Sequence, residues 1–104
     1  IRSKRPILRN NVGGMSGPAV FPIAVRMVWQ VSNAVSIPVI GMGGVDSGAA
    51  AMEMMLAGAS AVQVGAAIFT DPYAPVRIVE ELQALLEEQH IADVKELIGA
   101  VKPW

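Results

Sequence analysis

The chemical feature of this chain is glycine in the backbone, with no charged side chain beside it. Gly13, Gly14 and Gly17 cluster in "GGMSG", Gly43 and Gly44 close "VIGMGG", and Gly65 follows "AVQV". Glycine lets the main chain approach a ligand closely, and backbone N–H groups then donate to its oxygens. Such a cradle holds a phosphate without lysine, and these loops contain none. One glycine at a strand end is an ordinary turn residue. Glycines at two successive strand ends, with a third glycine loop before them, point instead to a phosphate site. "GMGGVDSG" has the wrong spacing for G-x-G-x-x-G and lacks an acidic partner at the next strand end. The absence of G-K-[ST] excludes a P-loop.

The other candidate catalysts are weak. His90 follows a charged helix end, where histidine is favourable for electrostatic reasons alone. Ser16 in "GMSG" lacks the strand that a nucleophile elbow needs before it. Asp46 reads as a helix cap, and Glu53 sits in an Ala/Met helix where it is either exposed or paired. The six methionines fall mainly in helical stripes, which flexible core packing explains. No acid/base pair and no metal-ligand set is evident, so no residue here is assigned a catalytic role. A catalytic base for the whole protein is expected outside these residues.

Composition bounds the class. Of 104 residues, 53% are hydrophobic and 16% charged, against about 25% charged in an ordinary soluble domain. Mean hydropathy is +0.47. A domain this small has much surface to cover with polar residues, and this one is short of cover. A fragment of a larger domain, or a chain buried in a partner, is expected. Net charge is −1, which gives no nucleic-acid or membrane surface; the basic opening "IRSKRPILR" reads as a solvated arm. Cysteine is absent, which excludes disulfides, cysteine-ligated metals and a thiol catalyst within these residues and is compatible with the cytosol. The start lacks a signal-peptide pattern. No apolar run reaches the roughly 18 residues of a membrane span.

The elements that would position the glycines follow from periodicity. Residues 1–17 read as a loop. Pro18 suits a first helical turn, and Val20, Ile23, Ala24, Met27, Val28 and Val31 follow at helical spacing to about Ala34. Trp29 lies near that stripe and is expected to pack. "IPVIGM" reads as a strand buried on both faces. Asp46 or Ser47 caps a helix over about 48–57, which Gly58 ends. "SAVQVGAAIF" is the second strand. Asp71 and Pro72 restart a helix whose buried stripe is Val76, Val79, Leu82 and Leu86. Asp93 and Glu96 suggest a capping box for a last short helix, and "VKPW" reads as a C-terminus. Strands alternating with helices imply parallel strands joined by right-handed crossovers.

With these elements placed, three stretches carry a resemblance. "GGMSGPAVFPIAVRMV", "IPVIGMGGVDSGAAAMEMMLAGASAVQVG" and "FTDPYAP" together resemble the C-terminal part of class 1 dihydroorotate dehydrogenases, over about residues 6–88. "GGMSGPA" followed by Pro22 is more similar to the 1B subclass than to 1A. The resemblance implies an α/β fold, the C-terminal portion of a (β/α)₈ TIM barrel comprising strands 7 and 8 with flanking helices. It makes residues 1–104 one fragment of an FMN-binding barrel domain. Carried over by position, the FMN contacts fall on Gly17, Gly43, Gly44, Gly65 and Ala66. The family usually has threonine at position 66, so Ala66 keeps the backbone donor and loses a hydroxyl.

The resemblance also implies FMN-dependent oxidation of dihydroorotate to orotate in pyrimidine biosynthesis, in the cytoplasm. The base is a cysteine on an earlier loop. The implied partners are the substrate, the rest of the barrel, a second copy in a homodimer and, for the 1B form, an electron-transfer subunit carrying FAD and an iron–sulfur cluster. Two alternatives stand beside this reading. One is a dihydropyrimidine dehydrogenase-like or other phosphate-binding barrel enzyme. The other is a non-catalytic truncated fragment; open sheet edges lead us to expect that the isolated chain is inactive and self-associates.

Overall fold

The computed structural model describes residues 2–104. Residues 2–17 carry no regular element, and a single 3₁₀ turn, Pro18–Val20, leads into α1, Phe21–Ala34. Then follow β1 (Ile40–Met42), α2 (Gly48–Leu56), β2 (Ala61–Gln63), α3 (Ala67–Thr70), α4 (Ala74–Glu88) and a closing 3₁₀ turn, Val94–Leu97. The strands pair in parallel, Ile40 opposite Ala61, Gly41 opposite Val62 and Met42 opposite Gln63. Parallel neighbours need a crossover, and α2 supplies it.

The core lies between the helices and one face of this small sheet. Ala24 and Val28 of α1, Ala50, Ala51 and Met54 of α2, and Ala74 and Ile78 of α4 form one buried cluster. Met52, Met55 and Leu97 form a second. Small residues let α2 and α4 approach closely: a Cβ on Gly48 would lie 2.5 Å from Glu81 Cβ and 2.6 Å from the Leu82 nitrogen. Met54 is fully buried, and packing of this density is sensitive to a single methylene.

Two devices close α2. Ser47 Oγ accepts the Ala50 N–H at 3.2 Å, so Ser47 is the cap and Asp46 is not. At the other end Gly58 has φ +120°. The Gly58 N–H reaches the Met55 carbonyl at 2.9 Å and the Ala59 N–H reaches Met54 at 3.0 Å, the paired bonds of a Schellman motif. A side chain at Gly58 would also collide with Ser32. From far along the chain, Gly99 N–H adds a second bond to the Met55 carbonyl at 3.0 Å and Val101 N–H donates to Leu56 at 3.2 Å.

Several expected boundaries shift. The strand expected over "SAVQVGAAIF" ends at Gln63, and residues 67–70 wind back as a helical turn, with Ile68 N–H on the Gly65 carbonyl. The strand expected over "IPVIGM" pairs only at residues 40–42, because only one neighbouring strand defines it. Pro75 rather than Pro72 occupies the first turn of α4, while Asp71 Oδ1 accepts the Tyr73 N–H in the turn before it. The buried stripe of α4 is Ala74 and Ile78 with half-buried Leu82, Leu85 and Leu86; Val76 and Val79 are exposed. Val76 lies on the opposite side of the helix, and Val79 at the edge of the stripe beside Leu86. In α1, Ile23, Met27 and Val31 are exposed on the flank of the stripe, and Trp29 is 43% exposed. The methionines divide equally: Met52, Met54 and Met55 are core, while Met15, Met27 and Met42 are exposed. The last element is a 3₁₀ turn, and its expected capping bonds are present, Lys95 N–H to Asp93 and Asp93 N–H to Glu96.

The expected shortage of cover is visible in the dimensions. A folded monomer of 10.9 kDa exposes roughly 5,600 Å², whereas this chain exposes 7904 Å². The Cα radius of gyration is 16.3 Å, against about 13 Å for a compact domain of 100 residues. Much of the excess is apolar. On the sheet face turned away from the helices, Ile40 and Met42 are more than half exposed, and so are Phe69, Tyr73, Val76 and Val79 elsewhere.

Candidate functional site: a glycine-lined cleft at the strand ends

Both strands end at the same side of the molecule, and their following loops enclose a cleft of about 750 Å³. Gly17, Gly43, Gly44, Gly65 and Ala66 all line it, with Ser16 and Asp46 at its margin. The residues singled out by spacing and resemblance thus lie together, although they come from three separate loops. Gly13 and Gly14 lie outside it. His90 is exposed beyond the C-terminus of α4 and Glu53 is exposed on α2; neither lines the cleft. Among the described residues no group of three His, Cys, Asp or Glu side chains could hold a metal. A second cleft, of about 500 Å³, lies at the opposite ends of the strands between Trp29, Pro38 and Gly58. Ligands of parallel α/β folds bind outside the carboxyl ends of the strands, which favours the glycine-lined one.

The glycines have different physical reasons to be there. Gly44 has φ +75°, and a Cβ there would stand 2.7 Å from the Gly17 carbonyl and 2.9 Å from Phe21 Cβ. The loop after β1 therefore rests directly on the turn that opens the α1 segment, and only glycine permits it. Gly65 is the opposite case. Its φ is not in the left-handed range, and a Cβ there would meet nothing within 4 Å. Nothing inside the chain requires glycine at that position, so the space it leaves is available to a ligand.

The hydrogen bonding separates free donors from used ones. Among the described residues, the N–H groups of Gly43, Gly44, Gly65 and Ala66 donate to no side chain and form no loop bond. The N-terminus of α2 is occupied. Gly48 N–H donates to Glu81 Oε2 at 2.7 Å, and Ala50 N–H is taken by Ser47. An anion in this cleft would meet loop donors, not the first turn of α2.

Glu81 belongs to a charged cluster on the outer side of the loops. Arg77 donates to Asp71 Oδ2 at 3.0 Å and to Glu81 Oε1 at 2.7 Å. The Gly48 N–H, and after it Arg77, holds the Glu81 carboxyl below the usual glutamate range. A depressed folded-state value stabilises the fold above the unfolded value, and that contribution disappears as pH falls through the folded one. Glu81→Gln should therefore be less stable than wild type at neutral pH and indistinguishable from it in acid. Paired denaturant melts across that range check this; a difference that does not vary with pH would refute it. Sequence reading missed Arg77 and Glu81. Their four-residue spacing marks an ordinary helical pair, and nothing local shows that it reaches Asp46 and Gly48.

A sequence model described as dihydroorotate dehydrogenase matches residues 1–86. The catalytic subunit of dihydroorotate dehydrogenase B (NAD(+)) from Geobacter metallireducens is 61% identical over 102 residues, covering 98% of this chain and 33% of the relative. That of Geobacter sulfurreducens is 62% identical over 99 residues, covering 95% and 32%. Among solved structures, DHODH from Eimeria tenella in complex with ferulenol superposes with a TM-score of 0.80 at 27% identity, covering 96% of this chain and 27% of that one. Its ligand-free form gives 0.81, at the same identity and with 28% of that chain covered. The chain spans about a third of the length of the curated relatives it matches. These structural neighbours are (β/α)₈ barrels, and the parallel α/β fold here is part of one. No helix of the described residues is long and apolar enough to cross a membrane.

Proposed function

This chain belongs to the dihydroorotate dehydrogenase family, and we propose that it forms the phosphate-binding wall of a barrel that oxidises dihydroorotate to orotate with FMN. The observation that carries the reading is the convergence of Gly17, Gly43, Gly44, Gly65 and Ala66 on one cleft, where the N–H groups of the last four form no loop hydrogen bond. The residues fit the group. A phosphate monoester needs several donors and close backbone approach, and Gly65 leaves a place that no neighbour fills. Gly43, Gly44, Gly65 and Ala66 would hold the phosphate and the adjoining ribityl chain, with Gly17 forming the near wall.

When bound, FMN would accept the hydride from C6 of dihydroorotate while a base removes the C5 proton. The chain's own part is to bind and orient. It has no cysteine, and no titratable side chain other than Asp46 lines the cleft. The base would therefore come from the rest of the barrel. We read residues 1–104 as the C-terminal portion, with β1 and β2 as barrel strands 7 and 8. The uncovered faces of Ile40, Met42, Val76 and Val79 would pack against the remaining barrel elements.

These relatives are catalytic subunits of an NAD(+)-dependent dihydroorotate dehydrogenase. A catalytic subunit of an NAD(+) enzyme fits the 1B form, and we extend the proposal to a cytoplasmic homodimer coupled to a subunit carrying FAD and an iron–sulfur cluster. Protein of full family length should purify with flavin absorption and oxidise dihydroorotate. Colourless protein that neither binds added FMN nor oxidises the substrate would overturn the reading.

A further inference from the structure

The two glycine loops of the cleft come from different strands, and those strands pair over only three residues. Something else must fix the distance between the loops. Arg77 on α4 reaches both. Its Nε donates to Asp71 Oδ2 at 3.0 Å, in the segment after β2. Its Nη2 donates to the backbone carbonyl of Asp46 at 3.2 Å, in the loop after β1. Nη1 is held by Glu81 at 2.7 Å, and the other oxygen of Glu81 takes the Gly48 N–H where that loop becomes α2. One planar guanidinium therefore joins the two loops from outside, and its own orientation is fixed by a carboxylate that also grips the first loop. Arg77 does not line the cleft.

We propose that Arg77 is a positioning residue for the phosphate site, setting the spacing between the Gly43–Gly44 and Gly65–Ala66 loops so that their N–H groups converge on one phosphate. The inference rests on the FMN reading above. The physical reason is geometric. Donors from two loops act together only when held to within about 0.5 Å of the productive arrangement. Arginine's rigid fork satisfies three acceptors at fixed angles, which a lysine ammonium on a flexible stem cannot reproduce. The fold does not depend on it. The Arg77 side chain is 42% exposed, and exposed ion pairs contribute little to stability. The α2–α4 contact is made by buried apolar residues instead.

The test compares FMN with riboflavin, which lacks the phosphate, on flavin-stripped protein of full family length. Wild type should bind FMN more tightly than riboflavin. In Arg77→Leu the FMN dissociation constant should rise about tenfold, with riboflavin affinity and the melting temperature nearly unchanged. Arg77→Lys should resemble Arg77→Leu, and it serves as the variant if Arg77→Leu fails to fold. An unchanged ratio of the two affinities, or equal loss of both ligands, overturns the proposal and leaves the FMN reading intact. Wild type that binds neither flavin, or does not prefer FMN, overturns the FMN reading and the proposal with it.

Discussion

Gly44→Val should lower both the stability of the barrel and its affinity for flavin. The backbone at Gly44 is left-handed, and a Cβ would press on the Gly17 carbonyl and on Phe21. Left-handed strain in a β-branched residue and overpacking each cost on the order of 1–3 kcal/mol, so a loss of roughly 2–6 kcal/mol is expected. Moving the loop off Gly17 to relieve the clash would also displace the Gly43 and Gly44 donors from the cleft. Thermal melts of flavin-free protein and flavin titration should therefore both shift. Asp46→Asn is the matched control. Ser47 is the cap, and Arg77 takes the backbone carbonyl of Asp46 rather than its side chain, so neither quantity should fall. A stable Gly44→Val protein with normal flavin content would show that the contact between the loops is not needed.

Gly65→Val should separate binding from folding. Its Cβ enters open space and its φ suits any residue, so flavin-free stability should stay within about 0.5 kcal/mol of wild type, as for an ordinary surface change. The same side chain would occupy the volume proposed for the phosphate. FMN affinity should fall at least about tenfold, which is 1.4 kcal/mol. The pairing of a silent melt with a lost ligand is the signature. A lowered melting temperature with normal binding would mean that Gly65 serves the fold.

The legible part of the fold was what local period encodes. The helical spacing of Ala24 and Val28, the β-branched run before Gly41, and Gly58 after an Ala/Met helix each state their element without outside help. What failed depended on neighbours. Residues 60–69 look like one strand because period alone does not separate a short apolar strand from a buried helical segment. Pairing with β1 ends at Gln63, and Gly65 then allows "AAIF" to wind as a helix. Val76 and Val79 share a helical spacing with Leu82 and Leu86, yet α2 packs on the Ala74–Ile78 side. The cleft was legible because backbone approach leaves a mark in sequence as glycine. Its outer bracing was not, since Arg77, Asp71 and Glu81 resemble ordinary surface charges until Asp46 and Gly48 are placed beside them.

The far end of α2 bears on how the molecule is made. Its Met55 and Leu56 carbonyls accept the N–H groups of Gly99 and Val101. Translation delivers residues in order, and chains begin to fold while still attached to the ribosome. Helix α1, both strands and α4 all emerge before those two donors exist. The Met55 and Leu56 carbonyls therefore wait for these donors after the rest of α2 has emerged. For a nascent chain, the C-terminal end of α2 is therefore completed late and stays accessible to a chaperone for longer.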